Sequence, residues 1–212
     1  MGNLIGGSSV LFLGFFKDMS TVGSYAGIER TARAEVMAML PASQAAYPHM
    51  SQRFHDGLEH GNRAMLKLCA YLLGTALVFV GTIALFSKSI LHLLFGNKLI
   101  AQAHLFSGFS IWSFLSLLNT LLGLHYLIAS GHSKEYGRAV FWSSLITIGM
   151  FLLLIPHFVG WGALSAVVVG ELVQTAMMIV SIITINKKNS KIPIEKGHAS
   201  RNNVKAPNPE TV

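Results

Sequence analysis

From Leu66 to Phe86 the chain is an apolar run whose one charge is Lys67. At 1.5 Å per residue such a run is long enough, with its immediate neighbours, to cross a hydrocarbon core of about 30 Å. Only a structure that satisfies every backbone N–H and C=O internally is stable there, and for one isolated run that structure is an α-helix. Further apolar runs, Ala101 to Ala129, Ala139 to Val159 and Gly160 to Ile185, repeat the pattern. Charged residues make up 12% of the chain, about half the usual share of a soluble domain, and the mean hydropathy is +0.53. The fold expected is all-α, a polytopic transmembrane helix bundle of about six helices over residues 1–185.

The first two segments depart from this pattern. Leu4 to Phe16 is apolar but covers only about 20 Å. Lys17 and Asp18 mark a turn. Val22 to Tyr47 has helical length yet contains Glu29, Arg30, Arg33 and Glu35; Pro41 should kink it and Pro48 should end it. His49 to Asn62 reads as a polar loop, and Ser87 to Lys98 as a linker that holds a short interfacial helix.

Charge placement sets an orientation. With both termini cytoplasmic, the inner segments hold Arg53, Arg63, Lys67, Lys134, Arg138 and the tail cations Lys187, Lys188, Lys191, Lys196, Arg201 and Lys205. The outer segments hold Lys17, Lys88 and Lys98, so the bias of eleven against three follows the positive-inside rule. Residues 186–212 read as a basic, disordered cytoplasmic tail, and since much of the net charge of +7 lies there, a nucleic-acid partner is not expected. Cys69 is the only cysteine, which excludes an intramolecular disulfide and a cysteine-based metal site.

Charges inside a membrane segment are costly and usually face a bundle interior or a watery cavity. On a helical wheel Tyr25, Glu29, Arg33, Arg30 and Gln44 fall on one side, Glu29 and Arg33 can pair at i,i+4, and Glu35 points away. One reading is a cationic cavity wall that attracts an anionic substrate; the others are a structural ion pair and an amphipathic helix lying on the membrane. Glu171, between Gly170 and Gln174, reads either as a protonation or ion-coupling site or as an interhelical hydrogen-bond partner. Gly162, Ala166 and Gly170, Gly23 and Gly27, and Ser113, Ser116, Thr120 and Gly123 read as helix-packing stripes. His55, Glu59 and His60 miss the inverzincin spacing by one residue, so no metal is expected. Phosphate-loop, dinucleotide and nucleophile-elbow motifs are missing from the sequence, and neither an enzyme activity nor a cofactor is expected.

Three stretches in order resemble the flippases for lipid-linked O-antigen repeat units, the polysaccharide transporter branch of the MATE-like superfamily. They are VGSYAGIERTARAEVMAMLPASQAAYPHMSQ (Val22 to Gln52), LLFGNK (Leu93 to Lys98), and Leu122 to Glu171 with YLIASGHSKEY and IPHFVGWGALSAVVVGE. The family has about twelve helices in two six-helix halves, and the chain resembles only the second half, which implies a truncated or split transporter. The resemblance implies translocation of an undecaprenyl-pyrophosphate-linked oligosaccharide across the bacterial inner membrane. It implies Arg30, Arg33, Tyr25 and Gln44 as substrate-binding residues and Glu29, Glu35 or Glu171 as proton carriers. The implied partners are the lipid-linked oligosaccharide, membrane lipid, the missing N-terminal half and a polysaccharide polymerase. The alternatives are a drug or peptidoglycan-precursor exporter of the same superfamily and a membrane scaffold in polysaccharide assembly.

Overall fold

The computed structural model describes residues 3–190 of the chain, and those residues are almost entirely helical. Helix α1 is Asn3–Phe16, α2 is Met19–His55, α3 is Leu58–Phe95, and two 3-10 turns lead into α4, Ala103–Thr120. That helix runs on as a π-helix over Leu121–Ile128, and α5 is Ser133–Ser190. Among the described residues three stretches are long and apolar enough to cross a membrane: Leu58–Lys98, Ile100–Ile128 and Ser133–Lys188. The last is interrupted at Val159, whose φ of 52° and ψ of −123° are a conformation that β-branched residues rarely adopt. Each side of that break still exceeds the ~20 residues one span needs.

The surface is apolar where a soluble protein would be polar. Leu66, Leu85, Leu93, Phe141, Leu153 and Phe158 are all exposed, and only 11% of the most apolar window of α3 is buried. In water such a belt would drive aggregation, whereas against lipid tails it is the ordinary outer face of a spanning helix. Two interior clusters lie behind it. One gathers Leu13, Tyr25, Ile28, Phe106, Phe109 and Phe151 from α1, α2, α4 and α5. The other gathers Met50, Phe54, Met65, Leu121, Tyr126 and Met178, with the Phe54 ring edge-on to Tyr126 at 5.0 Å.

The turn at Lys17 and Asp18 forms as expected, with the Asp18 carboxylate accepting from the Thr21 hydroxyl at 2.7 Å and its amide at 3.1 Å. The first of these bonds, with the second, holds the Asp18 carboxyl below the usual carboxylate range. The loop expected over His49 to Asn62 does not exist: α2 continues through Pro41 and Pro48 to His55, and α3 starts at Leu58. A proline costs a helix one backbone hydrogen bond, but ending the helix in a low-dielectric region would expose several unpaired backbone groups. Met50 and Phe54, four residues apart, then bury the continued turn in the second cluster. The reversal is made by Gly57, whose φ of 134° is open to glycine alone. The expected linker from Ser87 is likewise helical to Phe95, with non-helical backbone at Phe86. The tail expected from residue 186 is helical to Ser190, and the rest of it lies outside the described residues.

Close packing follows two of the small-residue stripes. A Cβ on Gly162 would fall 2.3 Å from the Leu154 carbonyl oxygen, and one on Gly170 would fall 1.9 Å from Thr147 Oγ1. Those glycines let the two arms of α5 approach each other. Gly123 is similarly covered by the Tyr136 ring; in the remaining stripe a Cβ on Gly27 would meet Phe95 and Leu99 in ordinary contact at 3.6 Å, and one on Gly23 would meet nothing within 4 Å.

Candidate functional site

Helix α2 is the most polar long helix, and it packs against α1, α3, α4 and the π-helix. Its inner face carries Tyr25, Glu29 and Arg33. Glu29 is 4% exposed, and its carboxylate accepts from Ser9 Oγ of α1, at 2.9 Å to Oε1 and 2.8 Å to Oε2. Arg33 completes the set with an ion pair to Glu29, and its guanidinium lies 5.5 Å from the centre of the Trp112 ring on α4. Tyr25 is buried one turn earlier, its ring 5.8 Å from Phe109. The charges are thus compensated inside the bundle, as the cost of isolated charge in a low dielectric demands.

Arg30 and Gln44 do not share that environment. Arg30 is rotated about 100° from Glu29, and Gln44 lies about 40° from Arg30 on the helical wheel. Both are exposed, and with Ala34, Met37 and Pro41 they form a continuous uncovered face along α2. The wheel position of Arg33 is intermediate, and so is its burial. The single polar side read from the sequence is therefore divided into a compensated interior and an open flank. The side chain of Glu35 lies outside the described residues.

Glu171 is on the second arm of α5 and sits in an interhelical junction. Asn119 Nδ2 donates to the Glu171 carbonyl at 3.0 Å and to its carboxylate, while Thr175 Oγ1 donates to Asn119 Oδ1 at 2.8 Å. Ser143 Oγ donates to Gln174 Oε1 at 3.1 Å, tying the two arms of α5 together one turn away. On α4, Trp112 Nε1 is buried without a hydrogen-bond partner among the described residues.

A third polar contact was not singled out from the sequence. His125 is wholly buried on the π-helix, its Nε2 2.7 Å from Ser43 Oγ of α2 and its ring 6.2 Å from Tyr47. A histidine inside the apolar run LLGLHYLI was the available signal. The widened helix at this point is a feature often found where a side chain must be re-aimed. Among the described residues no three of His, Cys, Asp and Glu converge on a common point. His55, Glu59 and His60 are all exposed on the α2–α3 reversal. Comparisons of the chain with protein-family models, curated proteins and solved structures give no match.

Proposed function

We propose that the chain is one half of a membrane transporter that moves undecaprenyl-pyrophosphate-linked O-antigen repeat units across the bacterial inner membrane. The reading takes α1, α2, α3, α4 with its π-helix, and the two arms of α5 as six spans, with both termini cytoplasmic. The observation that carries the transporter part is α2. It lies outside the stretches apolar enough to span alone, yet it packs among them and leaves a flank bearing Arg30 and Gln44 uncovered. Transporters built from two repeats hold their substrate between the halves. A helix that is compensated inward and cationic outward suits one wall of such a cavity.

The assignment of the substrate rests on the resemblance of Val22 to Gln52, Leu93 to Lys98 and Leu122 to Glu171 to the flippase family. In this reading Arg30, with Gln44 on the same flank, meets the pyrophosphate or an acidic sugar. Arg33 and Tyr25 support that flank from behind, and Glu29, Glu35 and Glu171 are the proton-carrying candidates. The bonds of Glu171 to Asn119 favour an interhelical role at rest. The partners in this reading are the lipid-linked oligosaccharide, against the open flank of α2, and a first half of the same transporter type that closes the cavity over it.

Cysteine labelling in cells that make lipid-linked O-antigen tests the cavity wall. With Cys69 replaced by serine, Arg30→Cys and Gln44→Cys should react with a small charged thiol reagent, and Ile28→Cys and Ser43→Cys should be protected. Protection of Arg30→Cys and Gln44→Cys as complete as that of the inner positions would contradict the reading.

A further inference from the structure

The α2–α3 reversal builds a second cationic feature, distinct from the α2 flank. A cleft of about 470 Å³ lies between the end of α2 and the start of α3. Arg53 enters it from α2, and Arg63 and Lys67 enter it from α3. His49, His60 and Tyr71 complete the polar rim, and the floor is apolar, formed by Met50, Ala64 and Leu68. The spacing explains the convergence: His49 and Arg53 are four apart on α2, and His60, Arg63, Lys67 and Tyr71 follow at three and four on α3. The two stripes therefore face one another across an antiparallel pair.

Among the described residues no ion pair joins Arg53, Arg63 or Lys67 to an acid. The acids of the reversal, Asp56 and Glu59, do not line the cleft. Like charges gathered around an apolar floor repel one another unless an anion sits between them. Tyr71 and Leu66 lie exposed where the cleft meets the apolar face of α3. A phosphate held by the arginines could thus keep a hydrocarbon tail against that face, with the aromatic ring at headgroup level.

We infer that this cleft is a binding site for a phosphate or diphosphate group, carried either by a lipid headgroup or by a free anion. Arginine forks suit phosphate oxygens. The inference concerns binding only, so its failure would leave the proposed transport untouched.

The test uses the full chain. Inorganic pyrophosphate is titrated calorimetrically against protein in phosphatidylcholine nanodiscs, and phosphatidic acid is compared with phosphatidylcholine by native mass spectrometry from detergent. The variant Arg53→Gln/Arg63→Gln/Lys67→Gln should weaken whichever ligand binds by at least about tenfold, as expected for losing charge-assisted contacts. Arg53→Lys/Arg63→Lys keeps the charge and should stay within about tenfold of the unaltered protein. Pyrophosphate binding that the glutamine variant loses identifies a free-anion site. Selective retention of phosphatidic acid without pyrophosphate binding identifies a headgroup site. If the triple variant loses helicity, Arg63→Gln alone carries the same comparison. Absence of both ligands from the unaltered protein, or equal binding by the glutamine variants, overturns the inference.

Discussion

Removing the Glu29–Arg33 pair whole should cost less than the sum of breaking it from each side. Glu29 and Arg33 side chains are 5% and 18% exposed. Removing one partner of a buried pair typically costs about 3–5 kcal/mol, because the other is left uncompensated. Arg33 keeps some access to solvent and the Trp112 face, and a cation over an aromatic ring recovers about 1 kcal/mol. Glu29→Gln should therefore destabilise by about 2 kcal/mol, near the low end less that recovery. Arg33→Met strands a more deeply buried carboxylate held by Ser9, and about 3 kcal/mol is expected. In the double variant neither charge is stranded, so its cost should fall short of the sum by about 2 kcal/mol. Reversible unfolding in mixed micelles of dodecylmaltoside and dodecyl sulfate, followed by far-UV circular dichroism, measures all three. Additivity within about 0.5 kcal/mol would refute the compensated pair.

Gly170→Ala places a methyl group against Thr147 and should destabilise the α5 arms by about 1–3 kcal/mol in the same assay. Gly23→Ala meets open space and should be neutral or stabilising by up to about 1 kcal/mol from helix propensity. Equal effects would show that the arms do not pack as described. For the topology, reporter fusions at Lys98 should read as periplasmic and fusions after Ser190 as cytoplasmic. A cytoplasmic signal at Lys98 would reverse or remove the assigned orientation.

Local spacing made some of this architecture legible before any coordinates. The i,i+4 interval of Glu29 and Arg33 identified their ion pair, the Lys17–Asp18 polar break located the first turn, and the apolar runs located the long apolar helices. What escaped were features settled between helices. The polarity of His49 to Asn62 reads as a loop in isolation, but Met50, Phe54 and Met65 make it a helical reversal by burying on Tyr126 and its neighbours. The contact of Ser43 with His125 joins residues far apart in sequence, and no periodicity announces it. The separation of Arg30 from Arg33 depends on where α4 and Trp112 lie, which the helical wheel of α2 alone does not contain. Gly23 shows the converse: a small-xxx-small interval marks a possible close approach, and a second helix must be there to use it.

The most direct test of the transporter reading is restoration of surface O-antigen in a bacterial strain that lacks its O-antigen flippase. The chain alone should leave the surface bare, because one repeat supplies one wall of the cavity. Co-expression with the first six-helix half of an O-antigen flippase should restore the polysaccharide, and adding Arg30→Gln should diminish it. Restoration by the chain alone would contradict its assignment as a half, and failure to restore with a stably assembled first half would contradict its assignment as a flippase.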